Sequence, residues 1–248
     1  MRGAIEALEA DRKELLALCS GFGDAEWKAE SGCEGWSVQD LVAHLGALFW
    51  LTVDPAGLPD TAADLPTERV QDVFVEARRS WSPAEVLADY EAVSTEALDR
   101  LTGLEGKDFE VPLGDLGTYP ALMVSNAYAF DHYTHIRVDL FAPRGPLTGE
   151  PPAADELRLA PAIDWIEAAL PQQNAERLAS LGGTLDLVLD GPGGGAIHLG
   201  TGPGRAEIRS TTASFVRWIT QRTSWEDEGV QAEGNPPMLV IAKEMKVF

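Results

Sequence analysis

Apolar residues recur at spacings of three and four through the first half of the chain, and at alternate positions later. The first spacing marks one face of an α-helix and the second one face of a strand. Ile5, Leu8, Leu15 and Leu18 predict a helix that ends at the Gly21-Phe22-Gly23 break. Ser37-Val38-Gln39-Asp40 reads as a capping box, in which the Ser side chain accepts from an early backbone N–H and Asp40 reaches back. Val38, Leu41, Val42, Leu45 and Phe49 then line one helical face. Pro55 to Pro66 reads as a loop. Ser82-Pro83-Ala84-Glu85 opens a third helix, with Pro83 where its missing N–H costs nothing, running to Leu101 or Leu104. Thr118 to Phe141 reads as a fourth, stopped by Pro143-Arg144-Gly145-Pro146. Four long helices predict a four-helix bundle.

The later half changes period. Asp155 to Leu181 reads as helical, broken by Pro161 and Pro171. Thr184 to Leu189 alternates and predicts a strand, followed by a Gly-rich turn over 191–195, a second strand over Ala196 to Leu199 and a third over Ala206 to Ile208. Thr211 opens a helix to Gln221. Leu239-Val240-Ile241 is apolar but has no legible form. Prolines cluster between Ala142 and Ala154 and mark a linker. The expectation is an α+β chain in two domains: a helical bundle over 1–148 and a small α/β domain over 149–248.

The chain has 248 residues, 45% of them apolar and 24% charged, enough for a sizeable core. It carries 40 Asp+Glu against 19 Lys+Arg, a net charge of −21. That balance argues against nucleic acid and against an anionic membrane surface as partners. A small molecule is the partner expected. The first residues lack the apolar core of a signal peptide, and the longest apolar stretch, Leu45 to Val53, is far shorter than the ~20 residues of a span. A soluble, cytoplasmic protein is expected. Two cysteines imply no disulfide framework. Cys19 falls in a helical apolar pattern and Cys33 in a loop.

Candidate chemistry lies with the four histidines, His44, His132, His135 and His198. Val124, Tyr128, Asp131, His135 and Val138 share one helical face, so Asp131 and His135 project one turn apart among apolar neighbours. His44 lies beside the apolar stripe of its own helix. A buried carboxylate needs compensation. A metal held by His44, Asp131 and His135 would supply it, with open positions left for water or substrate. So would a structural Asp–His ion pair. His132 is an alternative to Asp131 as ligand. His198, in a strand, reads as structural.

Two segments carry a family resemblance. Cys33-Glu34-Gly35-Trp36-Ser37-Val38-Gln39-Asp40-Leu41-Val42-Ala43-His44-Leu45 resembles the signature of the mycothiol-dependent maleylpyruvate isomerase family, a branch of the DinB-like metal-binding bundles. Asp131-His132-Tyr133-Thr134-His135-Ile136-Arg137-Val138-Asp139 is similar to its second signature, an acid followed four residues later by His and then by Asp. Thr184 to Leu189, the Gly-rich turn and Ser210 to Arg222 look like its C-terminal domain, which is similar to sterol-carrier (SCP2-like) folds. The resemblance covers nearly the whole chain. It implies His44, Asp131 and His135 as ligands of a divalent metal, usually zinc. It implies Arg222 as a catalytic cleft residue suited to a substrate carboxylate; a role at a helix C-terminus is the alternative. The family's acid is usually Glu, and its His-to-Asp step is three residues where here it is four. Asp139 reads as a partner that orients a ligand His or as a surface residue.

The resemblance implies an enzyme that uses mycothiol or a similar low-molecular-weight thiol as cofactor. Its reaction would be isomerisation of, or S-transfer to, a small electrophilic substrate. Two other readings stand beside it: a non-catalytic small-molecule-binding protein with a degenerate metal site, and a metal-dependent enzyme without a thiol.

Overall fold

Local chemistry sets where the helices begin. The computed structural model describes residues 2–104 and 106–248. Helix α1 (Arg2–Cys19) buries Ala4, Ala7, Leu8, Leu15 and Cys19. A short α2 (Asp24–Lys28) buries Trp27. Helix α3 (Val38–Val53) starts at the predicted box: Ser37 Oγ accepts from the Asp40 N–H, and Asp40 accepts from the Ser37 N–H. Helix α4 (Thr67–Glu76) buries Phe74 and Val75. Helix α5 (Pro83–Thr102) carries the second capping box, Ser82 with Glu85. Helices α1, α3 and α5 pack with α6, introduced below, around one core that includes Leu8, Leu41, Leu45, Phe49, Tyr90 and Leu101.

The fourth helix differs from its expected bounds. Glu110–Pro112 (β1) and Thr118–Pro120 (β2) form an antiparallel hairpin, and α6 runs only over Met123–Thr134. Tyr119 is buried against Trp165, the ring centroids 4.6 Å apart and the planes tilted at 52°, and anchors this stretch to the helix that carries Trp165. Residues His135–Asp139 continue α6 as a single π-helical turn, closed by the Leu140 N–H on the His135 carbonyl.

Helix α7 (Glu156–Gln173) passes through Pro161 and Pro171 without the predicted break. It packs on α6 and α1, and this packing outweighs the hydrogen bond lost at Pro161. Buried ion pairs reinforce the junction. Arg137 and Arg158 each donate to Asp11, at 2.7 and 3.0 Å, and also reach Glu14.

The rest is a short α8 (Ala175–Ala179), β3 (Gly183–Asp190), β4 (Gly195–Leu199), β5 (Gly204–Thr211), α9 (Thr212–Ile219), β6 (Gln231–Gly234) and α10 (Pro236–Lys243). The apolar run at Leu239 is thus helical. The sheet order is β4-β3-β5-β6, with β3 and β5 parallel and the outer pairs antiparallel. Leu185, Leu187 and Leu189 alternate inward from β3 onto a core with Trp165, Phe215 and Trp218. No described helix is long and apolar enough to cross a membrane.

Candidate metal centre

The capping box of α3 fixes the phase of its helix and sets His44 facing α6. His44 Nε2 lies 3.1 Å from Asp131 Oδ2. His135, where α6 passes into the π turn, puts its Nε2 3.4 Å from Asp131 Oδ1. One carboxylate therefore meets two imidazoles, one at each oxygen. The two rings stand edge-on, 5.0 Å apart. The three ligand atoms all lie within 4.8 Å of one another.

This set fits a divalent cation. It offers two nitrogens and one carboxylate oxygen, the donors zinc takes when a coordination position stays open. The two imidazole nitrogens stand 3.1 and 3.4 Å from different oxygens of Asp131, near enough to gather with that carboxylate around one ion held at about 2.0–2.1 Å. The His44 Nδ1 is buried without a hydrogen-bond partner, and the ring's hydrogen bond among the described residues is the one between Nε2 and Asp131.

Behind His135 stands Asp139, fully buried. The His135 Nδ1–H donates to its Oδ2 at 2.8 Å. Arg222 grips the same carboxylate: Nε donates to Oδ1 and Oδ2 at 3.0 and 2.9 Å, and Nη2 to Oδ2 at 2.7 Å. Arg144 adds a second guanidinium, Nε to Oδ1 at 3.3 Å, and also donates to the carbonyls of Arg222 and Gly32. The Cys33 thiol donates to Oδ2 at 3.4 Å and lies 3.6 Å from His135 Nδ1. Gly32 brings that loop in close, its N–H bonding the Asp139 carbonyl at 2.7 Å.

The backbone explains how Arg222 arrives there. Helix α9 ends with the Arg222 N–H on the Arg217 carbonyl and the Gln221 N–H on the Trp218 carbonyl. That is a Schellman ending. Gln221 occupies its left-handed position at φ 57, where glycine is usual. The conformation costs roughly 1–2 kcal/mol, offset in part by the Gln221 Nε2 bond to the Met245 carbonyl at 2.8 Å.

Charge is distributed to match. Burial pushes the Asp131 carboxyl up, but His135 and His44 outweigh it and hold it well below the carboxylate range. Burial pulls His135 down, and Asp131, Cys33 and Asp139 together raise it well above an ordinary imidazole. Burial also disfavours the Asp139 anion, yet His135 and Arg222 hold it far below its usual value. Asp131 and Asp139 are thus anions on either side of one imidazole, a field that favours a cation at Nε2 as well as a proton.

The expected site residues fall as follows. His44, Asp131 and His135 come together. Arg222 reaches the same cluster, though its bidentate edge is taken by Asp139. His132 points elsewhere: its Nδ1–H donates to the Tyr128 carbonyl at 2.8 Å and its ring packs on Phe49, so it does not replace Asp131. His198 is exposed and pairs with Asp186 at 2.6 Å. Asp139 is no surface residue. Arg144 had no local signal beyond its Pro-Gly turn.

A family model described as the mycothiol maleylpyruvate isomerase N-terminal domain matches residues 8–141. Two solved structures are similar over 93% of this chain and 91% of theirs. One is the mycothiol-dependent maleylpyruvate isomerase, 20% identical with a TM-score of 0.57. The other is a histidine-to-alanine mutant of a mycothiol-dependent maleylpyruvate isomerase, 18% identical with a TM-score of 0.58. No curated protein is matched by sequence.

Proposed function

Because the chain belongs to the mycothiol maleylpyruvate isomerase family, we propose that it is a metal-dependent enzyme using mycothiol or a similar small thiol. It would isomerise, or transfer the thiol to, a small electrophilic and anionic substrate. The observation that supports this most is the meeting of His44, Asp131 and His135 on one face of the bundle. In this reading residues 1–148 hold the metal, and residues 149–248 complete the site through Arg222.

Nε2 of His44, Nε2 of His135 and the Asp131 carboxylate would hold the ion, zinc by its donor set. When bound, it would lower the pKa of a coordinated thiol and so supply a thiolate to attack an electrophilic carbon. The protein's own residues do the rest. Asp139 accepts the His135 Nδ1–H and so fixes the tautomer that presents Nε2 to the site. Arg222 and Arg144 neutralise Asp139, so it stays ionised while buried. The Arg222 Nη1 makes no hydrogen bond among the described residues and is the donor left for a substrate carboxylate. Trp36, 5.0 Å from the His44 ring, walls one side.

The test is turnover of maleylpyruvate by metal-loaded protein, with and without mycothiol. Thiol-dependent turnover supports the proposal. Turnover indifferent to thiol would favour metal-dependent chemistry of another kind. Ligand binding that survives His44→Ala, without turnover, would favour a binding protein.

A further inference from the structure

An open pocket of about 480 Å³ lies where the end of α3 meets α4 and α5. It lies across α3 from the metal cluster: at about 100° per residue Trp50 is turned about 240° from His44. None of its lining residues belongs to the cluster around Asp139. Two indoles, Trp50 and Trp81, form walls, with Leu58 and Pro59 beside them.

Arg78 lines this pocket and is only 7% exposed. A guanidinium has five N–H donors. Arg78 uses one, Nη1 to the Phe74 carbonyl at 3.1 Å. Its buried Nε–H faces Asp89 Oδ2 at 3.6 Å, an ion pair too long for a hydrogen bond. Asp89 is itself engaged, accepting from the Trp50 Nε1–H at 3.0 and 3.2 Å. The guanidinium lies over the Trp81 ring at 5.3 Å, so one face is packed and the donors are under-used. Beyond the Asp89 ion pair, the Nη2 donors make no hydrogen bond among the described residues and remain for a further acceptor.

Asp54, at the end of α3, supplies the complementary need. Its carboxylate is exposed at the pocket and makes no side-chain hydrogen bond or ion pair among the described residues. A simple anion would satisfy Arg78 but would face Asp54 and Asp89. A simple cation would satisfy Asp54 and leave Arg78 unmet.

We propose that this pocket binds a small zwitterion of the α-amino acid class, with its carboxylate at Arg78, its ammonium at Asp54 and its side chain against the indoles. The volume lies in the range of small-ligand sites. Desolvation pulls the Arg78 guanidinium below its usual pKa and Asp89 offsets only part of this, a cost that a bound carboxylate would relieve further.

Calorimetric titration of the full chain with three probes tests this without touching the buried arginine. L-phenylalanine carries both charges, 2-phenylethylamine lacks the carboxylate and 3-phenylpropionate lacks the ammonium. Phenylalanine should bind at least about fivefold tighter than either analogue, since each loses a charged hydrogen bond. Asp54→Asn, an exposed change, should weaken phenylalanine to about the level of 3-phenylpropionate. His44→Ala should leave its Kd unchanged. An analogue that binds as well as phenylalanine, or an Asp54→Asn variant that binds it normally, overturns the proposal. So does a loss of binding in His44→Ala, which would put the ligand at the metal cluster. The absence of saturable heat with both phenylalanine and the smaller alanine also overturns it.

Discussion

Asp139 holds His135 from behind, its Oδ2 2.8 Å from the ring Nδ1, while the ring's Nε2 faces Asp131 on the other side. The imidazole is thereby fixed between two carboxylates. Asp139→Asn leaves Arg222 and Arg144 beside an uncharged amide. It should cost about 3–5 kcal/mol of stability by breaking a buried ion cluster. Metal affinity should fall by about 10- to 100-fold through the loss of the orienting bond. Thermal unfolding and competition with a chelator measure the two effects. An unchanged metal affinity would remove Asp139 from the positioning role.

Gly32 is required by close approach. A Cβ there would come within 2.8 Å of both the Cα and Oδ1 of Asp139. Neither atom can yield, because Asp139 is held by His135, Arg144, Arg222 and Cys33 and by the Gly32 N–H. Gly32→Ala should therefore destabilise by about 1–3 kcal/mol and weaken metal binding in the same variant. Wild-type stability in urea unfolding would contradict the packing described.

Much of this was legible in the sequence, for physical reasons. The box at Ser37 and the helix start at Ser82-Pro83 are local chemistry, and both appear where read. The i,i+4 step put Asp131 and His135 on one face. The missed elements lacked that clarity. β1 and β2 are three residues each, and both end in proline. Helix α4 carried a usable signal in Val70 and Phe74, but it is short and follows a Pro-rich loop. The four-residue His135-to-Asp139 step looked like a departure from the family pattern. The π turn absorbs it, since an i→i+5 turn takes one residue more than an α-helical one and Asp139 still faces the ring. The convergence of Arg144 and Arg222 on Asp139 is tertiary and left no local trace.

The two thiols should behave differently. Cys19 is buried, and burial pushes its pKa up to about 12. Cys33 is half-buried on the loop before α3. A disulfide reagent at pH 8 should titrate one thiol in the native protein and both in denaturant, with Cys33→Ser removing the native signal. Two native thiols reacting at equal rates would contradict the burial of Cys19.

Acid stability should depend on a pair outside the metal cluster. Glu228 is nearly buried and accepts from Arg217 Nε and Nη2 at 2.7 and 2.6 Å. Burial raises its carboxyl, but Arg217 and neighbouring hydroxyls lower it below the usual 4.5. The folded state then binds the proton more weakly than the unfolded one. The contribution is present above pH 4.5 and is lost as pH falls through the lower folded value. Glu228→Gln should cost about 1–2 kcal/mol at pH 7 and should flatten the acid limb of the stability curve. An acid limb unchanged from wild type would show that the pair contributes nothing.

The most direct test of the central claim is the metal content of untagged protein by inductively coupled plasma mass spectrometry, beside His44→Ala and His135→Ala. The wild type should carry about one equivalent of zinc or another divalent ion. Both variants should lose that ion and keep the folded circular-dichroism signal. No bound metal after reconstitution, or a full complement in either variant, would contradict the claim and leave Asp131 and His135 as a structural ion pair.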